Sequence, residues 1–90
     1  MCTYLTTTVD VQGSGKAPGG WIPVTRASVY VDHPYHAQFG HTVNIDVANP
    51  ALGPAARIAL ELTEEAALAL AGAIHAALAA APAGLASADQ

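Results

Sequence analysis

The feature that most constrains the fold of this chain is a change of hydrophobic period at Thr63. Before it, apolar and polar side chains alternate in short segments, and a period of two belongs to strands with one buried face. Residues 3–11, "TYLTTTVDV", set Leu5, Thr7, Val9 and Val11 on one side. Residues 24–33, "VTRASVYVDH", set Ala27, Val29 and Val31 against Arg26, Ser28, Tyr30 and Asp32, and Pro34 ends the segment because proline cannot donate to a ladder. Residues 41–48 alternate as His41, Val43, Ile45 and Val47 against Thr42, Asn44 and Asp46; residues 56–62 as Ile58, Leu60 and Leu62 against Arg57, Ala59 and Glu61. "QGSGKAPGGW" and "NPALGP" read as the intervening loops. After Thr63 the spacing becomes helical, with Ala67, Leu70, Ala71, Ile74 and Leu78 in one stripe. Thr63 suits an N-cap, Glu64 and Glu65 favour the first turn, and Pro82 and Gly84 stop the helix.

Short links between successive strands favour a meander. The predicted fold is therefore α+β: a two-layer, four-stranded antiparallel sheet, β-β-β-β-α, with one C-terminal helix on one face. One domain is expected over residues 1–85, with a frayed tail at 86–90. Ninety residues bury only a small core. The hydrophobic fraction of 52% overstates that core, because much of it is alanine in the last third. The other sheet face would carry Tyr4, Thr6, Thr8, Asp10, Arg26, Ser28, Tyr30, Asp32, Thr42, Asn44, Asp46, Arg57 and Glu61, with nothing left in the chain to cover it. That face is either solvated or meets a second copy, and a homodimer is expected, through this face or through the alanine-rich helix.

The formal charge is −4, with Lys16, Arg26 and Arg57 the only cations. No basic patch exists, which argues against nucleic acid and anionic membranes as partners. Residues 66–81 form the one long apolar run, interrupted by Gly72 and His75 and too short for a membrane span. The start of the chain has neither the basic nor the apolar region of a signal peptide. A lone Cys2 forms no internal disulfide. A cytoplasmic setting is expected.

The chemistry gathers in "VYVDHPYHAQFGHTVNID", where His33, His36 and His41 lie within nine residues. In a meander the second strand runs up into this loop and the third runs down from it. Strand one begins at the same pole and strand four ends there. The pole collects Cys2, Asp32, His33, His36, His41, Glu61, Glu64 and Glu65. Imidazole is the commonest metal ligand, so His33, His36 and His41 are candidate ligands for zinc, iron, nickel or copper. Asp32 would fix an imidazole, and Cys2, Asp32 or Glu64 could add a fourth donor. Asp32, Asp46 and Cys2 are the candidate catalytic groups. The spacing matches neither HExxH nor paired CxxC, and the competing reading is a polar loop with solvated histidines. "GSGK" lacks the GxxxxGK[ST] spacing of a phosphate loop and reads as a flexible connection with a solvated lysine. Asp10, Asp32 and Asp46 share a face and could hold a cation, with Asn44 beside Asp46; ion pairing of these acids to Arg26 or Arg57 is the plainer account. Trp21 is expected to pin the long loop, and His75 to sit partly buried on the helix flank.

"MCTYLTTTVDVQGSGK", "GW", "VYVDHPYHA", "HTVNID" and "RIALEL" before an alanine-rich helix resemble a family of small actinomycete proteins of unknown function. The resemblance covers nearly the whole chain and implies no activity. Two function classes follow. One is a small metal-binding protein or metal-dependent enzyme acting on a small metabolite at the histidine-rich hairpin. The other is a non-enzymatic homodimeric small-molecule-binding or accessory module with solvated histidines.

Overall fold

A computed structural model describes residues 5–33 and 40–84. Four strands, β1 (Thr6–Ala17), β2 (Gly20–Asp32), β3 (Thr42–Ala48) and β4 (Arg57–Leu62), precede one helix, α1 (Glu64–Ala80). The strands form one sheet in the order β1-β2-β3-β4, every neighbouring pair antiparallel. This is the expected α+β meander. Register sets the faces: Val29 lies opposite Ile45 and Ile45 opposite Leu60, while Tyr30, Asn44 and Glu61 line up on the other side.

The "GSGK" segment is not a loop. It is the second half of β1, with Gly13, Ser14, Gly15 and Lys16 paired to Val24, Pro23, Ile22 and Trp21. A ladder is made of backbone groups, so residues without side-chain periodicity can still pair. The turn is confined to Pro18 and Gly19, between the partnered Ala17 and Gly20. Gly20 adopts φ 122°, a conformation that glycine reaches without a Cβ penalty. Trp21 is exposed on the extended strand rather than pinning a loop.

A bulge decides where the hairpin goes. Asp10 opposes Arg26 and Gly13 opposes Val24, so Val11 and Gln12 share the place opposite Thr25. An extra residue bends and twists its strand. Beyond it, β1 meets a strand that is not its sheet neighbour. A Cβ on Gly15 would lie 2.5 Å from Cδ1 of Ile58 on β4 and 3.4 Å from Cγ1 of Val24. Val24, only 6% exposed, is the one buried hydrophobic side chain among the described residues. Asn49 latches the same end. Its Nδ2 donates to the Pro23 carbonyl at 3.1 Å, and its Oδ1 accepts from the Ala51 backbone N–H at 3.2 Å, capping a 3-10 turn at Pro50–Leu52.

The helix starts as its sequence requires. Thr63 accepts a hydrogen bond from the Ala66 N–H at 3.1 Å, with Glu64 and Glu65 in the first turn. Helix α1 reaches β3 and β4 and buries none of its residues. Ile74 is 55% exposed, and on the apolar sheet face Val29 is 39% and Leu60 43% exposed. His75 is exposed too, not partly buried, like its helix neighbours Ile74 and Leu78. On the opposite face, expected to be bare, Thr42 and Asn44 are buried.

A candidate functional site at the histidine pole

Strands β2 and β3 end together at the hairpin, where Asp32 pairs with Thr42. The next residues outward, His33 and His41, face one another, and their rings stack with centroids 4.4 Å apart and planes 28° from parallel. The Asp32 carboxylate accepts the His33 backbone N–H at 2.7 Å. The His33 ring nitrogen Nδ1 lies 2.7 Å from the Gly40 carbonyl oxygen. A carbonyl only accepts, so Nδ1 carries the proton and Nε2 of the neutral ring keeps its lone pair. The expected cross-hairpin pair is thus present. His36 and Cys2 lie outside the described residues. Among the described residues no three His, Cys, Asp or Glu side chains gather closely enough to hold a metal ion.

A depression of about 320 Å³ opens beside the stacked pair, lined by Val31, His41, Thr42, Val43 and Glu64. The meander explains the assembly. Val31 and Val43 are register partners and lie opposite and next to Leu62, after which Thr63 turns the chain into α1. The site therefore has apolar walls from the sheet, an imidazole from the hairpin end and a carboxylate from the first helical turn. A wider depression of about 470 Å³ lies at the other end, along Ala48, Pro50, Gly53, Pro54, Ala56 and Arg57. Among the described residues its one charged group, Arg57, is already bonded to Asp46, so the smaller site is the better endowed.

Asp46 sits on the polar face, between two partners. Tyr30 Oη donates to Asp46 Oδ2 at 2.9 Å, and Arg57 Nη2 donates to Oδ1 at 2.9 Å. The Tyr30 phenol is pushed above its usual value of 10.0, first by desolvation and then by the hydrogen bond to Asp46. The same carboxylate raises the affinity of Arg57 for its proton. Asp46 thus pairs with Arg57, one of the two arginines expected to neutralise these acids. Asn44 turns to Thr42, whose hydroxyl donates to Asn44 Oδ1 at 2.6 Å with both residues buried. Thr8 and Ser28 hydroxyls meet at 3.2 Å. Asp10 faces Arg26 across the β1–β2 ladder. The role of Tyr30 escaped the sequence reading, although its parity with Asp46 on adjacent strands was available: the two are diagonal neighbours, within reach of a long side chain.

A model of a family described as of unknown function, DUF6295, matches residues 1–87. No curated protein and no solved structure matches the chain.

Proposed function

We propose, for a chain that belongs to DUF6295, a homodimeric binding module that takes a small ligand at the histidine pole. The observation that carries the reading is the depression between Val31, Val43, His41, Thr42 and Glu64. Apolar walls with a few convergent polar groups are the usual make-up of a small-molecule site. Here the walls are valines and the acceptor is the Glu64 carboxylate. The chain as a whole carries −4 and only three cations, which favours the approach of a positive ligand. The ligand class is a small molecule with an apolar body and an ammonium or other donor head.

The test uses phenethylamine and the related carboxylate phenylpropionate as probes, read by NMR at the Val31 and Val43 methyls and the His41 ring. The amine should shift these signals saturably and the acid should not, and Glu64→Gln should abolish the preference. Equal shifts from both probes, or none from either, overturn the reading.

One observation favours a second reading, a metal site. Nδ1 of His33 is held by a backbone carbonyl, the arrangement that orients a ligating imidazole through its other nitrogen. In that reading His33, His36 and His41 are ligands of zinc, iron, nickel or copper, Asp32 fixes the hairpin beside them, and Cys2 is left as the group for a metal-dependent reaction, because Asp46 is bonded to Tyr30 and Arg57. Zinc titration of untagged protein separates the two readings. One equivalent bound by the parent chain, lost in His33→Ala and in His41→Ala, supports the metal site; no retained zinc removes it.

A further inference from the structure

The whole chain exposes 6725 Å², whereas a compact monomer of its 9.1 kDa mass would expose roughly 4900 Å². The radius of gyration is 14.7 Å, against roughly 12 Å for a compact chain of this length. The chain thus exposes more than a compact monomer would, and a standard interface takes roughly 800 Å² from each partner.

This excess has an apolar component with a definite location. On the sheet, Val9, Val29 and Leu60 are exposed on one face. On the helix, Leu68, Leu70, Ile74 and Leu78 are exposed. Between residues 66 and 80 the helix has no Asp, Glu, Lys or Arg. A helix without a charged face is normally buried, yet the main contacts of this one with its own sheet are to β3 and β4. Val9 and Val29 belong to β1 and β2.

We infer that a second copy of this chain covers the apolar sheet face, each helix lying across the β1–β2 side of its partner's sheet around a two-fold axis. One chain holds both halves of the contact, an uncovered sheet and an uncovered helix, and a two-fold axis satisfies both at once. Charge points to the same occupant. Two copies at −4 repel, so they meet best through a surface without acids, which is what the sheet face and the helix beyond its first turn provide. A bilayer is a poor alternative. No helix among the described residues is long and apolar enough to cross one, and the helix carries no cation for anionic lipid. The inference deepens the homodimeric part of the function proposed above and moves the contact off the polar sheet face.

Sedimentation equilibrium from 1 to 100 µM tests it, with three single-charge variants of the full chain. The parent should have twice the 9.1 kDa chain mass. Val29→Glu and Ile74→Glu should weaken the dimer at least tenfold, while Thr8→Glu, on the polar face, should not. Ile74 guards against misfolding as a trivial cause, because its side chain is exposed in a single chain and a charge there disturbs only a partner; circular dichroism confirms the helix. A monomeric parent overturns both the inference and the homodimer. A dimer broken by Thr8→Glu but not by Val29→Glu or Ile74→Glu overturns the interface and leaves the homodimer standing. The ligand reading is scored separately, by the probe titration.

Discussion

Thr42 and Asn44 show how a polar pair can be more exacting than an apolar one. The Thr42 hydroxyl donates to Asn44 Oδ1 at 2.6 Å, and both residues are buried. Replacing Thr42 with Val keeps the shape and strands the acceptor, which costs about 1–3 kcal/mol. Urea unfolding should therefore place Thr42→Val well below the parent and Thr42→Ser close to it. Tyr30 gives a pH prediction. Its folded phenol titrates above 10.0, with desolvation the first cause and Asp46 the second. A raised folded value means that this contribution to stability is complete below the unfolded value of about 10 and is lost as pH rises through the folded one. Asp46→Asn removes the carboxylate but not the desolvation. The Tyr30 phenolate, isolated by subtracting the Tyr30→Phe spectrum, should move down only part of the way. Arg57 loses its partner in the same variant, but it is half exposed, and such a pair contributes at most about 1 kcal/mol.

At the scale of elements, the β1–β2 hairpin has the most consequence and was the least legible. The bulge at Val11 and Gln12 bends it, and Gly15 then lies against Ile58 of β4. Gly15→Val should cost about 1–3 kcal/mol by overpacking, whereas Gly13→Val, with nothing within 4 Å of its Cβ position, should not destabilise by that route. Thermal unfolding of the two variants decides it. The sequence made β3, β4 and the helix start plain because Val43, Ile45, Val47, Ile58, Leu60 and Leu62 alternate and Thr63 is followed by two acids. It hid the distal hairpin because glycine, serine and proline satisfy a ladder without leaving a side-chain rhythm. The same holds at the histidine pole. Parity brought His33 and His41 together in advance, but their stacking and the Nδ1 contact to Gly40 depend on hairpin geometry that no spacing encodes. Tyr30 joined Asp46 by a diagonal contact, which alternation alone does not single out.

At the scale of the whole molecule, large apolar side chains of both the sheet and the helix stay exposed in a single chain. Among the described residues Val24 is the one buried hydrophobic side chain, while Val29, Leu60 and Ile74 remain exposed on surfaces that a second copy would cover. If association and folding are one event, stability depends on protein concentration. The most direct measurement is the melting temperature of the untagged chain at 1 and at 100 µM. A hundredfold change is worth about 2.7 kcal/mol, which at roughly 2–4 °C per kcal/mol for a dimer of this size predicts a rise of roughly 5–10 °C. A cooperative melt at the same temperature at both concentrations, with the mass of a single chain, would contradict the account.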